Sequence, residues 1–198
     1  MATRDIHMIV IGGSSGALDA LAALLPALPP GYPLPLAVVL HLPPTQPSHL
    51  VEVLRTKDSL PTREPDDKEP IVPGTVYVAP PNYHLLVERG RSFALSVDGP
   101  VLFSRPSIDV LFESAADAFG PHLAGVLLSG ANEDGARGLS RIAEAGGLTV
   151  VESPATAAVP IMPAAALQRV AIDHAAPAAA IGTLLARLAA PTRSGEAT

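Results

Sequence analysis

The sequence predicts an α/β fold: a doubly wound, mostly parallel sheet with helices on both faces and an antiparallel hairpin added to it. Three observations carry this. Short, continuous Val/Leu/Ile-rich runs recur along the chain, each bounded by glycine or proline, as in strands buried on both faces. Segments with apolar residues at helical spacing stand between those runs. Two further apolar runs, 84–88 and 92–97, flank Arg89-Gly90-Arg91, a hairpin signal.

The elements follow in order. The first strand is 7–11, closed by Gly12-Gly13. A helix over 17–25 places Leu18, Leu21, Leu24 and Leu25 at helical spacing and ends at Pro26, Pro29 and Pro30. A buried strand over 36–40 leads into a proline-rich turn and a short helix near 48–56. The dense charge run 62–72 contains prolines and reads as a solvated loop, with room for a very short strand. A strand over 75–79 precedes the hairpin. The helix 106–119 has proline in its first turn, Ser107 as cap, and Ile108, Leu111, Phe112 and Ala115 on one face. A strand over 123–128, a helix over 135–145 ended by Gly146-Gly147, and a strand over 148–151 come next. Helices over 163–170 and 177–188 complete one domain, 1–190, with 191–198 a frayed tail.

Length and composition bound the function. A chain of 198 residues, 48% hydrophobic and 16% charged, suits one compact domain with a real core and argues against disorder. The 22 prolines are scattered, so fibrous readings fail. The net charge of −6, with no Lys/Arg cluster, makes nucleic acid an unsuitable partner. The absence of cysteine excludes thiol nucleophiles and disulfide scaffolds, and fits a reducing cytoplasm. No apolar stretch is long enough for a membrane span or a signal peptide.

In a doubly wound sheet, sites form beyond the carboxyl ends of the strands. Gly12-Gly13-Ser14-Ser15-Gly16 follows the first strand, His41 ends the second, and Ser129-Gly130-Ala131-Asn132-Glu133-Asp134-Gly135 follows the strand over 123–128. A hydroxyl, an imidazole and a carboxylate thus share one rim, the set a serine hydrolase needs. The glycine-rich turn also suits a dinucleotide pyrophosphate, but the G-x-G-x-x-G spacing is missing, and His41 stands where an acidic residue would hold the ribose. Each candidate has a plainer reading. Ser14 could cap the first helix, Asp134 the helix at 135, and His41 could be a turn histidine. Arg105 and Asp109 read as a structural pair or as substrate contacts; His84 reads as a hairpin residue or as cleft lining. His7, His49, His122 and His174 read as surface or packed residues, and no spacing suggests a metal site.

These residues resemble the catalytic domain of CheB-type protein-glutamate methylesterases. That family's G-A-S-T-G-G corresponds to Gly12-Gly13-Ser14-Ser15-Gly16-Ala17, and its Q-H-M-P to Leu40-His41-Leu42-Pro43. Its P-G-x-x-Y-I-A-P is matched by Pro73-Gly74-Thr75-Val76-Tyr77-Val78-Ala79-Pro80, followed by His84. Its R-P-S-V-D-V-L-F is nearly unchanged in Arg105-Pro106-Ser107-Ile108-Asp109-Val110-Leu111-Phe112. Its L-T-G-M-G-x-D-G-A-x-G is similar to the segment from Leu128 to Gly138, and its late G-M-P to Ile161-Met162-Pro163.

The resemblance implies that Ser14 is the nucleophile, His41 its general base and Asp134 the carboxylate that orients the imidazole. Ser15, Gly16 and Ala131 would surround the oxyanion, with Arg105 and His84 near the substrate. The implied reaction is hydrolysis of glutamyl γ-methyl esters on chemoreceptor (methyl-accepting chemotaxis protein) helices through an acyl-serine, with glutamine deamidation as related chemistry. No cofactor or metal is implied, and no membrane insertion. Ala131 and Asn132 depart from the family's Met and Gly, which leaves a weakly catalytic binding module as the alternative function. Family members commonly carry an N-terminal receiver domain. This chain starts at the methylesterase domain, so the expectation is a stand-alone enzyme, with a fragment as the alternative.

Overall fold

A computed structural model describes residues 4–41, 49–55 and 60–189. The main sheet contains β1 (Met8–Gly13), β2 (Leu36–Leu40), β3 (Thr62–Arg63), β4 (Val76–Val78), β7 (Leu123–Leu127), β8 (Leu148–Glu152) and β9 (His174–Ala176) in the order β3-β4-β2-β1-β7-β8-β9. Each of its pairings is parallel. The helices are α1 (Ala17–Leu24), α2 (Leu50–Leu54), α3 (Ile108–Phe119), α4 (Ala136–Glu144), α5 (Ile161–Arg169) and α6 (Ala178–Leu188). The hairpin β5 (His84–Val87) and β6 (Phe93–Ser96) forms its own two-stranded sheet.

The alternation of β1 explains the two layers. Ile9 and Ile11 face a core shared with Leu21 and Leu24 of α1, Leu50 and Leu54 of α2, and Ile181 and Leu185 of α6. Met8 and Val10 face the other way, onto Leu111 and Phe112 of α3, Leu139 of α4, Met162 of α5, and Leu85 and Phe93 of the hairpin. Side chains on successive strand residues point to opposite faces, so a continuous apolar run needs helices on both sides.

Element ends shifted by a residue or two from expectation. The strand β9 was missed altogether: it has three residues, lies at the sheet edge and is only partly buried, so it carries no apolar run to read. The tail 191–198 and the ends of the expected helix at 48–56 lie outside the described residues.

Two helices near the rim start at glycines in the left-handed region, Gly16 at φ +80° before α1 and Gly135 at φ +94° before α4. A Cβ on Gly135 would also fall 2.5 Å from Leu127 Cδ1 and 2.7 Å from Ile108 Cγ2. The strain and overpacking of Gly135→Ala should together cost about 2–4 kcal/mol, read as a lowered midpoint in urea.

Candidate active site

The chain leaves β1 for β2 on one side and later returns to place β7 on the other. This reversal opens a crevice at the carboxyl ends of β1, β2 and β7. Ser14 and His41 stand one residue beyond the paired Gly13 and Leu40, and the His41 N–H donates to the Gly13 carbonyl at 3.1 Å. Neighbouring strands run about 4.8 Å apart, so the two residues leave the sheet side by side.

Asp134 reaches the same rim from the turn between β7 and α4. Its Oδ2 lies 2.7 Å from His41 Nε2, with the carboxylate fully buried and the imidazole 11% exposed. A buried carboxylate accepts, so Nε2 carries the proton; in the neutral ring, Nδ1 is left as the basic atom. Ser104 Oγ lies 3.4 Å from Nδ1. The Ser14 hydroxyl, half-buried, makes no hydrogen bond to the ring among the described residues. The structure therefore joins His41 to Asp134 and sets Ser14 beside them, without the serine–histidine hydrogen bond.

Asp134 does more than orient histidine. Its Oδ2 also accepts the Ile108 N–H at 2.8 Å; its Oδ1 accepts the Asp109 N–H at 3.0 Å and the Ser107 hydroxyl at 2.9 Å. These are donors at the start of α3, where the helix dipole favours negative charge. Burial alone would raise the Asp134 pKa. The imidazole and the two backbone N–H groups outweigh it and hold the carboxyl below the usual aspartate range.

The arrangement is reciprocal. Asp109, in the first turn of α3, sends Oδ1 to the Gly135 and Gly138 N–H groups at 2.9 and 2.7 Å and so caps α4. Burial raises its pKa, opposed by the Gly138 N–H, with the nearby Asp134 charge adding to the rise. The structure differs from three expectations. Ser107 does not cap α3 through its hydroxyl; that hydroxyl donates to Asp134, and the Asp134 carboxylate caps α3 instead of α4. Asp109 is engaged with α4 and lies 3.6 Å from Arg137 Nε, so the expected Arg105–Asp109 pair is not among the described ion pairs.

Arg105 instead donates through Nη1 to the Val97 and Asp98 carbonyls at 2.9 and 3.1 Å. His84 is buried. Its Nδ1 accepts the Ser107 N–H at 3.1 Å, so Nε2 carries the proton and donates to the Gly99 carbonyl at 3.1 Å. Both ring nitrogens are engaged, and the ring ties the hairpin to the start of α3. The sequence leaves each of these two residues either a structural role or a place near substrate; the partners seen in the structure are backbone groups.

The turn after β1 is braced by Ser129, a residue sequence reasoning passed over. Its carbonyl accepts the Ser14 N–H at 2.9 Å, its hydroxyl donates to the Ser15 carbonyl at 2.7 Å, and that same oxygen accepts the Val159 N–H at 2.8 Å. The N–H groups of Ser15 and Ala131 have no protein acceptor among the described residues. Ser15 and Ala131 are exposed, and Gly16 is half-buried. Asn132 Oδ1 accepts the Asp134 N–H at 3.2 Å, which shapes the turn carrying the carboxylate.

Behind Ser129 stands Glu152, buried at the end of β8, with Oε2 accepting the Ser129 N–H at 2.9 Å. Burial pushes its pKa up, with the N–H bond pulling the other way. A carboxyl raised on folding stabilises most below its unfolded pKa and loses that contribution as pH rises through the folded value. Glu152→Gln keeps an acceptor and removes the titration. Its Tm should gain on wild type as pH rises from 5 to 8.

At the opposite ends of the strands, Asp5, His7 and His122 offer ligand atoms within 4.8 Å of one another, the one such group among the described residues. The rings of His7 and His122 stack at 4.5 Å, and His122 Nδ1 is 2.7 Å from the Asp5 carbonyl oxygen. The separation in sequence hid this cluster.

Fold and rim together define a doubly wound α/β domain of the kind that carries a hydrolytic site at its strand ends. Comparison with known proteins narrows the class. The chain matches the CheB methylesterase family over residues 9–185 and belongs to that family. A Leptospira interrogans relative, provisionally named a protein-glutamate methylesterase/protein-glutamine glutaminase, is 43% identical over 184 residues, 93% of this chain and 95% of that one. A protein-glutamate methylesterase/protein-glutamine glutaminase of Anaeromyxobacter dehalogenans is 38% identical over 192 residues, 96% of this chain but 54% of that longer one. The crystal structure of the Thermotoga maritima CheB methylesterase catalytic domain superposes with a TM-score of 0.87 at 31% identity, covering 92% of this chain and 98% of that one.

Proposed function

We propose that this chain is a protein-glutamate methylesterase: a serine esterase that hydrolyses glutamyl γ-methyl esters on chemoreceptor helices in the cytoplasm. The observation that carries the reading is the His41–Asp134 pair at 2.7 Å, set beside Ser14 at the switch point of the sheet. No helix among the described residues is long and apolar enough to cross a membrane.

Ser14 Oγ attacks the ester carbonyl while His41 Nδ1 takes its proton. The buried Asp134 carboxylate balances the imidazolium that forms. The N–H groups of Ser15 and Ala131 receive the oxyanion, each donor contributing about 3–4 kcal/mol in the transition state. The proton passes from His41 to the departing methoxide and methanol leaves. Water then attacks the acyl-serine, with His41 again as base, and releases the glutamate. A γ-carboxamide substrate would follow the same steps with ammonia as leaving group. The hydroxyl and Nδ1 close to hydrogen-bond distance in the substrate complex, as catalytic contacts commonly do.

Methanol release from a methylated chemoreceptor tests the proposal. Wild type should release it and His41→Ala should not. Binding of receptor without methanol release would favour the weakly catalytic module instead.

A further inference from the structure

We propose that the turn Leu102-Phe103 is a docking element that receives an apolar side chain of the substrate polypeptide beside the glutamyl ester. This rests on the esterase reading above and adds what the enzyme recognises around the scissile group.

The turn combines a left-handed backbone with exposed apolar side chains. Val101 and Ser104 exchange backbone hydrogen bonds at 3.1 and 2.8 Å, closing a two-residue loop. Leu102 and Phe103 inside it have φ of +46° and +64°. A two-residue loop with both φ values positive is a type I′ turn, which strongly prefers Asn-Gly because side chains with bulk at Cβ are strained there. The same two residues are also solvent-exposed hydrophobics: Leu102 is 40% exposed and Phe103 103%, fully outside the fold. Strain and exposed apolar surface coinciding on two residues point to a binding role.

The position says what is bound. Ser104, which closes the turn, has its Oγ 3.4 Å from His41 Nδ1. The foot of the loop is fixed by Arg105 on the Val97 and Asp98 carbonyls and by His84 on the Gly99 carbonyl. Phe103 is therefore carried on a braced loop whose closing residue lies beside His41. A glutamyl carbonyl carbon lies only about 4 Å from its own Cα, given C–C bonds of about 1.5 Å. To bring that carbon to Ser14, the polypeptide backbone must run close over this rim, and neighbouring side chains must meet the turn. The apolar turn favours an apolar neighbour.

The test is the double variant Leu102→Asn/Phe103→Gly, which supplies the residues the turn prefers. Tm should rise by about 4–10 °C. The ratio of kcat/KM for methylated chemoreceptor to kcat/KM for p-nitrophenyl acetate should fall about 10–100-fold, chiefly through the receptor KM, as expected for losing burial of one large apolar side chain. Phe103→Ser alone should show the same ratio change in part. An unchanged ratio overturns the proposal, as does an equal loss on both esters, which would place the turn's effect on the chemistry. Conversion of a wild-type dimer to monomer with the ratio unchanged would assign the turn to self-association and also overturn it. If wild type hydrolyses p-nitrophenyl acetate but releases no methanol from receptor, the substrate reading fails first and takes this inference with it.

Discussion

Asp134→Ala is expected to cost about 3–5 kcal/mol of stability and to lower turnover by about 10⁴-fold. The two losses share one cause. The carboxylate accepts from His41, Ser107, Ile108 and Asp109, all inside the fold or nearly so. Its removal strands the N–H groups at the start of α3 and releases the imidazole from its tautomer. Unpaired buried donors each cost about 1–3 kcal/mol, while the network as a whole loses less than the sum because the helix end can relax. A Tm drop of about 6–20 °C by calorimetry would agree. The pH dependence has a definite sign. The Asp134 carboxyl is lowered on folding, so its contribution is fully present above the unfolded pKa near 4 and is lost as pH falls through the lower folded value. Wild type should therefore lose stability below about pH 4, and the alanine variant should lose less over that interval.

Ser14→Ala should behave in the opposite way: turnover down by about 10⁴–10⁶-fold, with Tm essentially unchanged. The side chain is half-buried and holds no hydrogen bond among the described residues; the turn is braced by Ser14 N–H and by Ser129, which alanine at 14 leaves in place. Circular dichroism melts alongside methanol release would separate this variant from Asp134→Ala. A Ser14→Ala protein that melts many degrees lower would mean that the hydroxyl is structural.

The contrast between these two residues shows what could be read from the sequence. Apolar runs and glycine punctuation mark the central parallel strands but not the edge strand β9, because a strand buried on both faces leaves a visible mark. Ser14, His41 and Asp134 stand out as candidates in the sequence because each follows such a strand. What the sequence does not show depends on partners remote in the chain. Asp109 and Asp134 exchange helix caps between α3 and α4, and neither cap follows the local pattern in which a residue serves the helix it precedes. Ser129 has no motif of its own as a brace; its role appears only when β7 lies against the turn after β1. His84 and Arg105 carry chemistry-bearing side chains, but the fold uses them on backbone carbonyls and an N–H. Ser104 reaches His41 from the far side of the hairpin connection, across 63 positions of sequence.

That last contact also gives the central claim its sharpest test, because the proposed base has a second serine beside it. A fluorophosphonate reacts with a serine hydroxyl only where a neighbouring base activates it and donors hold the new oxyanion. Peptide mass spectrometry after labelling should find the phosphonyl adduct on Ser14, absent in His41→Ala and unaffected by Ser104→Ala. An adduct on Ser104, or labelling of Ser14 that survives loss of His41, would contradict the account.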